Sequence, residues 1–146
     1  MAELFPPGNE ALTEDARQLL NELDREIPGA ASITPHCRPA LDVLETATSI
    51  EVVMDVPGVV ASSIRVAVRR STMLIAGAKP GAAMEPASRY HLAERSYGRF
   101  ARAVRLGGAF DATRATATLR AGQLRVVLPL VTDRRGRVLT IPVDVQ

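Results

Sequence analysis

The residues with the most chemical potential are few and scattered. His36 and Cys37 are adjacent and His91 is the only other histidine. That set lacks the number and spacing of N and S ligands a metal site takes. Gly77 and Gly81 flank Lys79-Pro80, which is loop chemistry, and no G-x-x-x-x-G-K-[ST] run cradles a nucleotide. No G-x-S-x-G elbow presents a serine nucleophile. Glu94 stands beside Arg95 as a structural ion pair, and the other acids are spread over the N-terminal stretch and the strand-like runs. No catalytic residue, cofactor or metal site is expected, and the chain does not read as an enzyme. What remains is binding chemistry. Asp133-Arg134-Arg135-Gly136-Arg137 reads as a flexible tether, and beyond it stands the apolar triplet Ile141-Pro142-Val143. Pro142 bars a central strand. An extended apolar triplet at the end of a charged tether needs a pocket.

The elements that would position such a contact are strands. Ile50, Val52, Met54 and Val56 alternate with Glu51, Val53 and Asp55. Ile64, Val66 and Val68 alternate with Arg65, Ala67 and Arg69; Phe100, Val104 and Leu106 with Arg99, Ala103 and Arg105; Leu124, Val126 and Leu128 with Arg125 and Val127. Period two predicts one buried and one wet face. Pro57-Gly58, Arg70-Ser71, Gly107-Gly108 and Ala121-Gly122 punctuate these runs as turns. Short strands at this spacing predict an all-β sandwich or barrel. Arg102 shares the alternating face of Phe100 and Val104, so a partner is required for its charge.

Ahead of the strands, Leu12, Ala16, Leu19, Leu20, Leu23 and Ile27 fall at offsets of three and four, one face of a helix. Asn9 suits its cap, Glu10, Glu14 and Asp15 suit its positive end, and Pro28-Gly29 stops it. Such a helix packs either on its own domain or, as a proline-linked arm, on other subunits and clients. The expected division is an arm over 1–38, a sandwich over 39–130 and a tail over 131–146.

Composition agrees with a soluble aliphatic β-domain. Of 146 residues nearly half are apolar, yet there are two Tyr, three Phe and no Trp. The formal net charge is +2 and the arginines alternate with apolar residues, so no nucleic-acid surface is expected. No basic-then-apolar leader and no run of about 18 apolar residues occurs. One cysteine makes no internal disulfide. A cytoplasmic protein with no membrane contact is expected.

From about Pro39 to Leu130 the chain resembles the α-crystallin domain of small heat-shock proteins. Ala40-Leu41-Asp42-Val43-Leu44-Glu45-Thr46 looks like the family's opening strand, without its common aromatic. Asp55-Val56-Pro57-Gly58-Val59 resembles its D-[LV]-P-G-[VM] turn, and Met73-Leu74-Ile75-Ala76-Gly77 its L-x-I-x-G strand. Glu94-Arg95-Ser96-Tyr97-Gly98-Arg99-Phe100-Ala101-Arg102 resembles E-R-x-x-G-x-F-x-R. Ala117 to Leu124 matches A-x-[LY]-x-x-G-[VM]-L except at Gln123, and Gly107-Gly108 stands where Leu-Pro is usual. Ile141-Pro142-Val143 matches the I-x-[IV] tail. The order of these motifs carries the resemblance.

The resemblance implies an immunoglobulin-like sandwich of the bacterial and plant type, dimerising through a loop strand that crosses to a partner. Here that strand is Tyr90-His91-Leu92, with Glu94 and Arg102 at the dimer contact. It implies that Ile141, Pro142 and Val143 dock on a neighbour between the strand of Ile64, Val66 and Val68 and the strand of Ala117 and Leu119. Burying two such side chains is worth roughly 3–6 kcal/mol before entropy losses. It implies a client-binding arm carrying Phe5, Leu12, Leu19, Leu20 and Leu23. The activity implied is ATP-independent capture of unfolding proteins by a homo-oligomer of dimers. The alternative is a sandwich of the p23 type, a co-chaperone or scaffold binding a folded partner. A sandwich hydrolase or sugar-binding module fits poorly, for want of a nucleophile motif and of aromatics.

Overall fold

Runs of alternating β-branched and polar residues become strands wherever a turn dipeptide lets the chain reverse. The computed structural model describes residues 16–19, 21–22, 37–131 and 139–146. Among them run β1 (Leu41–Glu45), β2 (Ser49–Asp55), β3 (Arg65–Arg69), β4 (Thr72–Lys79), β5 (Gly98–Arg105), β6 (Thr116–Arg120), β7 (Gln123–Pro129), β8 (Leu139–Ile141) and β9 (Val143–Val145). They form a five-stranded sheet ordered β1-β2-β7-β6-β9 and a four-stranded sheet ordered β5-β4-β3-β8. Neighbours are antiparallel except β6 and β9, which are parallel.

Two turns show why their residues are needed. Ala121 and Gly122 have φ of 50° and 75°. Two left-handed residues in a two-residue loop match the twist of the flanking strands. A side chain on Gly122 would stand 3.1 Å from Pro57 Cα, because Val56 N–H donates to the Gly122 carbonyl at 2.7 Å. The Pro57-Gly58 turn therefore lies directly on the Ala121-Gly122 turn. Gln123 is exposed at the mouth of this hairpin, so its polarity costs nothing there.

The inner faces of both sheets form one aliphatic core. Val52, Met54, Leu124, Val126 and Leu128 of the larger sheet meet Val66, Met73, Ile75, Phe100 and Val104 of the smaller. The aromatic ring of Phe100 fits because its cross-strand partner is Gly77. A Cβ there would lie 2.7 Å from Phe100 Cζ.

The expectation of one wet face is wrong for the smaller sheet. Ala67 and Ala103, assigned by alternation to the solvent side, are 1% and 3% exposed. With Leu74 and Ala101 they form a second cluster, roofed by Ala16 and Leu19. Residues 16–19 and 21–22 are helical, and Arg69 meets Glu22 at 3.5 Å. A helix laid across the outer face turns alanines that would otherwise be solvated into core. Leu19, read above as part of a client-binding face, is fully buried on its own sheet for the same reason. The expected helix ends at Asn9 and Pro28-Gly29, and Phe5, Leu12, Leu20 and Leu23, lie outside the described residues.

Candidate assembly site

A sandwich has two open seams where the edge strands of its sheets face each other. The chain covers one of them with its tail. β8 adds to β3, with Ile141 opposite Val66 and Leu139 opposite Val68. β9 adds to β6, with Val143 opposite Ala117 and Val145 opposite Leu119. Pro142 stands between them, where the chain leaves one sheet for the other, and its missing N–H breaks no ladder bond there. Ile141 is 4% exposed within the main core and Val143 packs against it half-buried, whereas Val145 is 72% exposed. The Gln146 amide donates to the Leu119 carbonyl at 3.2 Å. Ile64, Val66, Val68, Ala117 and Leu119 are all buried around the seam. The tail thus lies on its own chain's sandwich, in the groove that the resemblance assigned to a neighbour's tail. Edge strands left bare invite pairing with other chains, and this segment blunts two at once.

The opposite seam is closed by residues 37–40. The Cys37 amide donates to the Arg99 carbonyl at 3.2 Å, and the Asp55 amide donates to the Ala40 carbonyl at 3.0 Å. Cys37 Sγ lies 3.4 Å from the Gly98 carbonyl oxygen as a weak donor. Burial raises the thiol pKa, an effect that the Lys79 charge partly offsets. Arg102 is half-buried at this seam. Its Nη1 donates to the Pro39 carbonyl at 2.6 Å. Because β5 is an edge strand, a long side chain on its inner face can turn out to a backbone oxygen. The sequence required a partner for this charge, and the Pro39 carbonyl supplies one that residue types do not reveal, since a backbone oxygen leaves no mark in them.

Between β4 and β5, residues 80–96 are exposed and contain no strand. Tyr90, His91 and Leu92 sit in this stretch, so the expected strand there is absent from the single chain. A strand needs a ladder partner, and none of β1 to β9 pairs with 90–92. Met84, Tyr90 and Leu92 are 47%, 50% and 74% exposed. The Tyr90 and Tyr97 hydroxyls stand 3.4 Å apart, and this hydrogen bond is the main cause raising the Tyr90 pKa. Arg95 lies over the Tyr97 ring at 5.6 Å from its centroid, a contact not foreseen from its place beside Glu94. Glu94 is exposed. Among the described residues no group of three or more His, Cys, Asp or Glu is placed to hold a metal, and no helix is long and apolar enough to cross a membrane.

The chain is a mostly-β immunoglobulin-like sandwich of two sheets, with one face capped by a helix and one seam filled by its tail. The Hsp20/alpha crystallin family matches residues 42–144, and the chain belongs to that family. The 18.9 kDa heat shock protein of Oryza sativa subsp. japonica is 35% identical over 105 residues, covering 71% of this chain and 59% of that protein. Heat shock protein 16.0 from Schizosaccharomyces pombe superposes with a TM-score of 0.62 at 25% identity, over 69% of this chain and 94% of that structure. A small heat-shock protein from Xylella fastidiosa, with a distinct high order structure, superposes with a TM-score of 0.59 at 26% identity, over 70% and 96%. Membership in the family suggests a chaperone role.

Proposed function

We propose that the protein is an ATP-independent holdase, an oligomer of dimers that binds unfolding proteins and keeps them from aggregating. The observation that carries this reading is the seating of Ile141 and Val143 along the edges of β3 and β6. The same pocket chemistry accepts the tail of a second copy, so tails that leave their own sandwich link subunits. One buried isoleucine and one half-buried valine contribute roughly 2–4 kcal/mol before the cost of ordering the tether. That is weak for one contact and effective when repeated around a shell. Weak contacts exchange, and each exchange uncovers an apolar seam.

Dimerisation follows from the other uncommitted elements. The outer edge of β1 carries no strand in the described chain, and residues 80–96 have no sheet to join. Tyr90, His91 and Leu92 add to the partner's β1, with Glu94 and Arg102 near that contact. Residues 1–38 serve as the arm, 39–130 as the sandwich and 131–146 as the tail. Capture needs no nucleotide, because binding to exposed apolar surface is mass action.

The test is light scattering from a heat-denatured test enzyme, at about equal mass of this protein and without nucleotide. Scattering should fall steeply. Unchanged scattering at every ratio and temperature overturns the reading.

A further inference from the structure

The outer face of the four-stranded sheet carries an apolar platform separate from the sandwich core. Ala67, Leu74 and Ala103 are paired side by side across β3, β4 and β5, and Ala76 and Ala101 are paired in the next row. Alanine is a poor strand former, so four alanines together on one face are not explained by sheet stability. They make the face shallow enough for a helix to come close. Ala16 and Leu19, one helical turn apart, fill that depression at 0% exposure each.

The frame of the platform is basic. By alternation its face also carries Arg65 and Arg69 on β3 and Arg99 and Arg105 on β5. The sequence around Ala16 and Leu19 is acidic: positions 10–26 hold six Asp or Glu against two Arg. Glu22, three residues beyond Leu19, reaches Arg69 at 3.5 Å. An apolar centre in a positive frame, matched by an apolar stripe with negative flanks, selects a partner by charge as well as by shape.

We propose that the outer face of β3, β4 and β5 is a second docking surface, whose partner is an acidic amphipathic helix, and that the helix around Ala16 and Leu19 is its resident cap. Being tethered, the cap competes at high effective concentration with any helix of like chemistry from another chain. Salt screens the acid–arginine attraction and loosens the cap. The platform lies on a sheet face and the tail groove on the sheet edges, so a helix docks here without displacing the tail.

The probe is a fluorescent peptide of positions 10–26, titrated by anisotropy into the full chain and two full-length variants. Leu19→Asp places a carboxylate at a fully buried position and lifts the cap. Adding Ala103→Glu to it blocks the platform. Leu19→Asp should bind the peptide about tenfold more tightly than wild type, more weakly as salt rises, and the double variant should not bind. Equal binding by wild type and Leu19→Asp means the helix caps nothing. A folded Leu19→Asp that binds no peptide, or a double variant that still binds, shows that the platform is not the surface. Hydrogen exchange on the wild type keeps the proposal testable if a variant misfolds. Amides 16–22 should lose protection as salt rises while those of β3 to β5 keep theirs, and no change with salt overturns it. These readouts are binding and amide exchange, so they stand or fall apart from aggregation suppression.

Discussion

Gly77 and Phe100 are a matched pair, one residue empty so that the other can lie flat. Gly77→Ala drives a methyl to 2.7 Å from Phe100 Cζ and 3.2 Å from the Ser63 carbonyl oxygen. The ring is buried at 2% exposure and has little room to turn. The substitution should cost about 1–3 kcal/mol in denaturant unfolding. Phe100→Leu in the same chain should recover part of that loss, and additive effects of the two changes would sink the pairing argument. Arg102 is a second residue tied to a specific neighbour, through the hydrogen bond from its Nη1 to the Pro39 carbonyl. Arg102→Gly removes the hydrogen bond to the Pro39 carbonyl and places glycine in a strand, a combined loss of about 2 kcal/mol. An unchanged unfolding midpoint and an unchanged size profile would show that Arg102 is merely solvated.

Among the elements, the tail is the one whose removal separates assembly from folding. β8 and β9 add strands to sheets whose inner faces are already closed by β2 to β7, so the sandwich does not depend on them for its core beyond Ile141. Replacing both Ile141 and Val143 by Gly should leave the sandwich and dimer intact and dissolve the higher oligomer in size-exclusion chromatography with light scattering. Amides along the open edges of β3 and β6 should exchange faster at the same time. Retention of the wild-type mass would mean that the tail is not the assembly contact. A wild type that is itself a dimer would mean that the tail serves only its own chain, as it lies here.

For the whole molecule the question is which surface makes the first pair. Seventeen exposed residues without a strand, 80–96, are more than a connection within one compact domain needs. Their apolar members are left in water unless a second chain receives them. Deleting Tyr90 to Leu92 should yield a folded sandwich that runs as a monomer by native mass spectrometry, with β-sheet circular dichroism retained. A shortened chain that keeps the full mass would move the dimer contact to another edge. Native mass at two temperatures on the intact chain then reports whether subunits exchange as the chaperone reading requires.

Much of the sandwich is written in the order of residues. The alternation through Ile50, Val52, Met54 and Val56 and through Leu124, Val126 and Leu128 marks residues that are all buried, because period two and a half-buried sheet are the same geometry. The turns at Pro57-Gly58, Arg70-Ser71 and Ala121-Gly122 are legible because only certain residues accept their backbone, although Arg70 and Ala121 take positive φ without being glycine. Family order of motifs adds the class. The candidate site is legible only in part: Ile141-Pro142-Val143 announces that it needs a pocket, but residue types do not say whose. Which edges the tail joins, and that it joins them in its own chain, follow only from the antiparallel pairing of β8 with β3 and the parallel pairing of β9 with β6. The second apolar face is invisible for another reason. Alanine is small and only weakly apolar, so Ala67 and Ala103 do not stand out in the alternation, and they are buried under a helix distant in sequence. Likewise Arg102 donates to a backbone oxygen sixty-three residues away. Local pattern determines which way a side chain faces; only the packed chain decides what meets it there.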